Sequence, residues 1–343
     1  MLYRTLIKWL APVGLALILS GCSPAPKVQS ISGQTMGTSY HISWVAGSEG
    51  HSPEQLQAAI DQRLEQVNDS MSNWRPDSLI SQFNDLRSDE AMLVDADFIA
   101  VMRESVRLAE LTDGALDVTI SPVVDLWGFG PQGRVQHAPS IESIQEAKAH
   151  TGIKHLEIEG MRLRKHLPTL NLNLGAIAKG YGVDVVADLL DEQGIHDYLV
   201  EIGGELRLKG AKPDQQPWRI AIEKPDAYGR GVAQILAPGE MAIATSGDYR
   251  NFFEEEGRRF SHLIDPRSGE PVNTRLASAT VLAPTAMTAD ALATAFIIMG
   301  TESSLALAER EELPVMLIEK RPDGEYEVFY STAFEPYMEV SQR

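Results

Sequence analysis

The stretch Asn171-Leu172-Asn173-Leu174-Gly175-Ala176-Ile177-Ala178-Lys179-Gly180-Tyr181-Gly182 decides the fold of this chain. Its first apolar residues alternate as in a strand, and from Ala178 to about Leu190 they take the spacing of a helix. A strand that passes through glycines into a helix leaves backbone N–H groups unpaired at the helix start, where they favour an anion such as phosphate. Lys179 adds a positive charge in the same turn. By itself the pattern also fits an ordinary strand-to-helix turn with an exposed lysine, because it is neither a P-loop nor a complete dinucleotide fingerprint.

A second segment, Ser261-His262-Leu263-Ile264-Asp265-Pro266-Arg267-Ser268-Gly269, places a histidine and an aspartate before a turn. His262 and Ile264 would share one face of the incoming strand, and Asp265 would cap the turn. Neutral imidazole can accept a proton near pH 7, so His262 is a candidate general base. A hydrogen-bonded structural histidine beside a turn-capping aspartate is the other interpretation.

A third segment, Thr288-Ala289-Asp290-Ala291-Leu292-Ala293-Thr294-Ala295, lies in an otherwise apolar helix. Asp290 and Thr294 are four residues apart and project from one face. A buried aspartate must be paired, hydrogen-bonded or bound to a metal. A carboxylate with a hydroxyl suits Mg²⁺, which keeps water and takes substrate phosphates as ligands, better than calcium or zinc. A helix-capping or ion-paired aspartate is the alternative.

The N-terminus predicts the compartment. Arg4 and Lys8 precede an apolar run that is too short to span a bilayer, which needs about 20 residues. This arrangement is typical of a secretory signal. Cys22 directly follows Leu-Ser-Gly, which resembles the bacterial lipoprotein box, and it is the only cysteine, so the chain has no internal disulfide. We therefore expect a signal peptide over residues 1–21, lipid on Cys22 and a tether over 22–31, followed by one domain over 32–338.

Composition limits the partners. The formal net charge is −18, and it becomes −20 once Arg4 and Lys8 are removed with the signal peptide. So acidic a chain repels nucleic acid and anionic lipid headgroups, which argues against both as partners. A phosphate-bearing ligand would need local features that overcome this charge, and a bound cation is the simplest.

The remaining periodicities predict helices and strands without strict βαβ alternation, so the expected class is α+β. Ser52 should cap the first helix in a capping box with Gln55, and Pro53 should open that helix. Gly203 and Gly204 should form a bulge within one strand over 198–208. The other predicted strands cover 34–44, 218–223, 232–236, 241–245, 276–283, 314–319 and 326–330, and a hairpin is predicted between Phe252 and Phe260. The other predicted helices cover 96–111, 140–150, 178–190, 288–299 and 302–312. Residues 115–131 are predicted to form a loop.

Eight segments together resemble the ApbE family, the FAD:protein FMN transferases, in the family's order and over essentially the whole mature chain. They are Thr35–Thr38, Asn73–Ser78, Asp113–Asp117, Leu126–Gly130, Asn173–Tyr181, Ala244–Arg250, His262–Gly269 and Asp290–Thr294. The resemblance implies a T-fold-like α+β domain with a mixed, mostly antiparallel sheet flanked by helices and an FAD site between lobes. It also implies Mg²⁺-dependent transfer of FMN from FAD to a threonine hydroxyl of an acceptor protein, with release of AMP.

The resemblance also assigns residues. Ala176 would bind the metal through its backbone carbonyl, Asp290 and Thr294 through their side chains, and His262 would be the base. The FAD site would be lined by Met36, Trp74, Ala115, Leu116, Asp117, Asn173, Lys179 and Ile264.

The chain departs from the family pattern at three positions. Trp74 stands where many members have tyrosine, so the stacking face survives and the hydroxyl is lost. Asn173 replaces a frequent aspartate and keeps an acceptor without the charge. Ala293 lies where some members add another carboxylate near the metal.

Two other functions stay open at the level of sequence: hydrolysis of FAD to FMN and AMP, and flavin binding by a non-catalytic lipoprotein. Family acceptors include extracytoplasmic subunits of Na⁺-translocating NADH:quinone reductase and related electron-transport complexes. We therefore expect the chain to be anchored by lipid on the periplasmic side of the inner membrane. Ser23 after the cysteine is not an inner-membrane retention signal, so the outer membrane is the alternative.

Overall fold

The computed structural model describes residues 27–47, 52–131, 133, 135, 137–225, 231–247, 252–255 and 258–338, with the backbone alone for 252–255 and 258–260. Cys22 and the rest of the predicted signal and tether, up to residue 26, lie outside these residues. Within the described part of the chain, no helix is both long enough and apolar enough to cross a membrane.

The strands, in chain order, are Val28–Thr35 (β1), Thr38–Val45 (β2), Met92–Leu93 (β3), Leu156–Glu159 (β4), Arg162–Lys165 (β5), Tyr198–Ile202 (β6), Glu205–Lys209 (β7), Ile220–Glu223 (β8), Val232–Leu236 (β9), Ala242–Gly247 (β10), Phe252–Glu255 (β11), Arg258–Ser261 (β12), Ile264–Asp265 (β13), Glu270–Pro271 (β14), Leu276–Ala283 (β15), Val315–Lys320 (β16) and Tyr326–Tyr330 (β17). The helices are Pro53–Met71 (α1), Leu79–Asp85 (α2), Ala96–Leu111 (α3), Ser121–Leu126 (α4), Ile141–Lys148 (α5), Ala178–Glu192 (α6), Ala286–Met299 (α7) and Thr301–Arg310 (α8).

One eight-stranded sheet organises the domain, in the order β1-β2-β6-β7-β10-β15-β16-β17. Every neighbouring pair in it is antiparallel. Helices α6 and α7 pack against this sheet, and all eight residues of β15 are buried. The predicted α+β class with a mostly antiparallel sheet and flanking helices is confirmed.

Helices α6 and α7 approach each other unusually closely. A Cβ on Gly180 would lie 2.2 Å from the carbonyl oxygen of Ala286, so only glycine allows this contact. The Asp184 carboxylate of α6 accepts the backbone N–H groups of Ala286 and Met287, both at 2.9 Å, and so caps the start of α7. The two helices that carry Lys179 and Asp290 are thereby fixed to each other.

Two strand predictions are wrong for the same reason. The predicted strand over 34–44 is a hairpin, because Met36 and Gly37 adopt positive φ values of 49° and 73° and form a two-residue turn between β1 and β2. Gly203 and Gly204, at φ 64° and 108°, are likewise a hairpin turn between β6 and β7 rather than a bulge.

The alternating residues before α6 do not form a strand. Asn171 makes only an isolated bridge to Ile120. Instead, side chains bind the extended backbone: Asn73 and Asn84 both donate to the Leu172 carbonyl at 2.9 Å, and Asn84 accepts from the Leu172 N–H at 2.7 Å. These bonds satisfy the backbone groups that a sheet would otherwise pair.

Three smaller differences concern segment ends. The first helix begins at Pro53 as predicted, but Ser52 makes no side-chain cap bond and donates to Glu54 at 2.5 Å. The predicted loop over 115–131 contains helix α4. The strand before His262 ends at Ser261, whereas Asp265 caps its turn as predicted by accepting from the Arg267 N–H at 2.9 Å. Every other predicted strand and helix lies within two residues of its predicted ends.

Candidate active site

A cavity of about 1100 Å³ opens where the β1–β2 turn, the start of α6, the end of β10 and helix α7 meet. This volume exceeds the ~300–1000 Å³ that is usual for drug-sized ligands. Every predicted site residue in the described part of the chain lines it: Met36, Trp74, Ala115, Leu116, Asp117, Asn173, Ala176, Lys179, His262, Ile264, Asp290 and Thr294. The structure thus brings together residues that are far apart in the chain, while their individual roles stay predictions.

Lys179 lies between two carboxylates in this cavity. Its Nζ is 2.9 Å from Glu205 Oε1 and 3.4 Å from each oxygen of Asp290. Asp290 Oδ2 also accepts the backbone N–H of Gly180 at 3.0 Å. Asp290 and Glu205 are 2% and 5% exposed, so both carboxylates depend on this cluster for their solvation.

Burial and mutual charge shift the pKa values of the three residues in this cluster. Burial raises the pKa of Asp290, although Lys179 and the Gly180 N–H oppose the shift. Burial and then the charge of Asp290 raise the pKa of Glu205 to about 7. Burial would lower the pKa of Lys179, but Asp290 and Glu205 outweigh it and raise that pKa. When both carboxylates are ionised, their charge exceeds that of the one ammonium, which favours a further cation.

The oxygen atoms around this cluster match a hard cation. Asp290 offers a carboxylate, Thr294 a hydroxyl and Ala176 a carbonyl, and all three residues line the cavity. Ser246 Oγ lies 3.1 Å from Thr294 Oγ1. Oxygen ligands of this kind suit Mg²⁺. Among the described residues no three or more histidine, cysteine, aspartate or glutamate side chains group together, so this donor set consists of one carboxylate with hydroxyl and carbonyl oxygens.

The segment before α6 is held by the loop that follows α3. The Asn173 N–H donates to the Val118 carbonyl at 2.7 Å, and Asn173 Oδ1 accepts the Gly175 N–H at 2.9 Å. Asp117 accepts both the N–H and the hydroxyl of Thr119, at 2.8 and 2.6 Å, while burial raises its pKa. The amide at 173 therefore shapes the glycine turn without adding negative charge.

Aromatic side chains also line the cavity. Trp74 is 73% exposed, so one indole face is free for a planar ligand. The half-buried His262 ring meets Phe129 edge-on, with centroids 6.4 Å apart at 71°. This contact orients the imidazole within the cavity wall.

Sequence reasoning did not assign Glu205 or Ser246. Ser246 belongs to the segment Ala244–Arg250 that carries the family resemblance, of which residues 248–250 lie outside the described part. Glu205 directly follows the Gly203–Gly204 pair and is buried at the start of β7. An acidic residue at a buried strand position is the signal that could have identified it.

Comparison with known proteins agrees with the fold. The model of the ApbE family matches residues 36–317. The FAD:protein FMN transferase of Vibrio cholerae is 49% identical over 96% of this chain and 98% of its own, and that of Haemophilus influenzae is 42% identical over 99% and 100%. A solved structure of the flavin transferase ApbE from Vibrio cholerae superposes with a TM-score of 0.85 at 49% identity, over 91% of this chain and 99% of the other.

The fold is therefore that of the flavin transferases. At this identity and coverage, the chain belongs to the ApbE family.

Proposed function

We propose that this chain transfers FMN from FAD to a threonine hydroxyl of an acceptor protein in an Mg²⁺-dependent reaction. The threonine oxygen would attack the FMN phosphorus, and the bond from that phosphorus to the bridging oxygen would break. The acceptor would then carry FMN as a phosphate ester, AMP would leave with the bridging oxygen, and the hydroxyl proton would pass to a base. FAD as flavin donor and a protein as flavin acceptor follow from the curated relatives, all FAD:protein FMN transferases.

The observation that carries the proposal is the cavity of about 1100 Å³. It gathers the residues that the family resemblance assigned to flavin, metal and base, although they come from segments spread over residues 36–294. Phosphoryl transfer depends mainly on positioning and on neutralising charge, which such a cavity can provide. A protein that only binds a ligand would not need residues for a flavin, a metal and a base around the same cavity.

The donor set supports Mg²⁺ as the cation. The Ala176 carbonyl, the Asp290 carboxylate and the Thr294 hydroxyl would hold it, with Ser246 beside Thr294. When bound, Mg²⁺ supplies neutralisation of negative charge on the diphosphate. Lys179 would contribute a second positive charge near that diphosphate.

His262 would accept the proton of the attacking threonine. It lines the same cavity as Lys179 and Asp290, and its ring is held by Phe129. Trp74 would stack on the flavin or adenine ring at the rim, and Asn173 would keep the glycine turn open for the phosphates.

The expected location follows from the N-terminus. We propose that Cys22 is acylated and holds the enzyme on the periplasmic side of the inner membrane, with the outer membrane as the alternative. Acceptors would then be extracytoplasmic flavoproteins, such as subunits of Na⁺-translocating NADH:quinone reductase or related complexes.

One assay separates transfer from hydrolysis and from binding alone. The purified enzyme is incubated with FAD, Mg²⁺ and an acceptor domain, with and without a chelator, and the acceptor is then denatured. Flavin fluorescence that stays on the denatured acceptor, and disappears with the chelator, is the expected result. Free FMN and AMP with an unlabelled acceptor would instead establish a pyrophosphatase, and no AMP above background would establish a binding protein.

A further inference from the structure

Lys179 does not sit symmetrically between its two acidic partners. Its ammonium nitrogen makes a close ion pair with Glu205 Oε1 at 2.9 Å, but stays 3.4 Å from both oxygens of Asp290. The Lys179 ammonium therefore lies closer to the carboxylate on β7 than to the one on α7. Asp290 accepts its shortest hydrogen bond from the Gly180 N–H at 3.0 Å, beside the two longer bonds from Lys179.

We propose that Glu205 is a positioning residue that takes the closest contact of Lys179, so that the ammonium stays 3.4 Å from Asp290 and the Asp290 carboxylate remains available for a divalent cation. This inference rests on the proposed function, because it takes Asp290 to be a ligand of that cation. Glu205 itself is not assigned to the cation. Its role is exerted through Lys179.

The position of Glu205 in the fold is consistent with this role. Glu205 begins β7, immediately after the hairpin turn formed by Gly203 and Gly204, and it is 5% exposed. A Cβ on Gly203 would lie 3.3 Å from Glu205 Oε2, so the glycine leaves room for the carboxylate. Glu205 Oε2 is buried and makes no hydrogen bond in the described part of the chain. The ion pair with Lys179 is thus the main compensation for burying this charge.

Removal of Glu205 should change where Lys179 binds. With a neutral residue at 205, Asp290 becomes the nearest anionic partner of the ammonium within the cluster. A close Lys179–Asp290 pair would neutralise the carboxylate and compete directly with a cation. We therefore expect the loss of Glu205 to weaken cation binding, and we expect this weakening to be absent when Lys179 is also removed.

The test is a double-mutant cycle on metal binding alone. Mn²⁺ is titrated into the metal-free protein without FAD, and the free ion is followed by electron paramagnetic resonance. Glu205→Gln should weaken binding about tenfold, which corresponds to ~1.4 kcal/mol. In a Lys179→Met background the same substitution should change binding less than about twofold, because the competitor is gone. Glu201→Gln, on the same hairpin but outside the cavity, is the matched control and should bind like the wild type.

Three results of this cycle would overturn the inference. Equal Mn²⁺ affinity for wild type and Glu205→Gln overturns the positioning role of Glu205 while leaving the proposed function intact. An equal loss in both backgrounds also overturns it, since Glu205 would then act directly by its charge. Wild-type protein that binds no Mn²⁺ at millimolar concentration without FAD overturns the inference, since the chain's own residues then do not form a cation site that Glu205 could protect. Should Glu205→Gln not fold, Glu205→Asp, whose shorter reach loosens the ion pair, must weaken binding in the same Lys179-dependent way, and unchanged binding would refute the inference.

Discussion

Replacing Asp290 with asparagine should remove activity while preserving the fold. Asp290 is one of two buried carboxylates that share Lys179, and it is the one that we assign to the metal. Its substitution leaves the pair Lys179–Glu205, which is balanced in charge. The ~3–5 kcal/mol cost of leaving an unpaired buried charge should therefore not arise.

The structure sets the size of both effects. In the wild type, Asp290 Oδ2 accepts the Gly180 N–H at 3.0 Å, and the amide oxygen of asparagine can still accept it. We therefore expect the free energy of unfolding to fall by only ~1–2 kcal/mol. Loss of a charged group that acts on the diphosphate should lower the transfer rate by about 10²–10³-fold, equivalent to ~2.7–4 kcal/mol.

The assay follows covalent flavin on an acceptor domain over time, together with urea unfolding of each variant. Asp188→Asn is the matched control, because Asp188 is an exposed residue of α6 outside the cavity that pairs with Arg207 at 3.1 Å. It should keep its rate within about twofold and its stability within about 0.5 kcal/mol. A folded Asp290→Asn enzyme that transfers flavin within about tenfold of wild type would refute the metal assignment.

Three further predictions test other parts of the molecule. His262→Ala should slow transfer by about 10²–10⁴-fold with unchanged Mn²⁺ affinity; transfer at the wild-type rate would exclude the base role. Gly180→Ala should lower the free energy of unfolding by ~3 kcal/mol, because its Cβ would lie 2.2 Å from the Ala286 carbonyl oxygen. Gly182→Ala, whose Cβ would meet the flexible Met36 methyl group at 2.8 Å, should cost less, and equal losses in urea unfolding would contradict this account. Lys165 is fully buried, and burial, followed by the charge of Arg87, lowers its pKa to about 8. Because the folded pKa lies below the unfolded value of 10.5, the charged Lys165 destabilises the folded protein by up to ~3 kcal/mol below pH 8. The free energy of unfolding therefore rises as the pH increases from 8 towards 10.5. Lys165→Met should therefore lose this rise in unfolding free energy, and equal pH slopes for both proteins would contradict the prediction.

Long helices were predictable because their apolar spacing reflects burial directly. Helix α3 has its predicted ends, Ala96 and Leu111, and α7 begins two residues before the predicted Thr288. The strand β15 was likewise predicted with the observed ends. Local sequence carries these elements because each is stabilised by one continuous packed face or layer.

The hairpin turns were not predictable from the same patterns. Met36 has a positive φ that is uncommon for a residue with a side chain, so Gly37 alone did not mark a turn between β1 and β2. Gly203 and Gly204 allow either a bulge or a two-residue turn, and only the pairing of β6 with β7 decides between them.

The site shows the same division between local and long-range information. Local patterns brought Lys179 and Asp290 to notice, a charge at a glycine-led helix start and an aspartate on an apolar helix, and both line the cavity. Glu205 was missed because its contact with Lys179 depends on how β7 pairs within the sheet. The alternating apolar residues around Leu172 led to a wrong strand prediction. The Leu172 backbone is instead bound by the side chains of Asn73 and Asn84, which are 99 and 88 residues away along the chain.

Mass spectrometry of an acceptor domain, after incubation with enzyme and FAD with and without EDTA, measures cation-dependent flavin transfer. We predict one FMN attached through its phosphate to a threonine, one AMP released for each label, and neither product when the cation is chelated. An unlabelled acceptor beside free FMN and AMP, or labelling that is indifferent to EDTA, would contradict a cation-dependent flavin transferase.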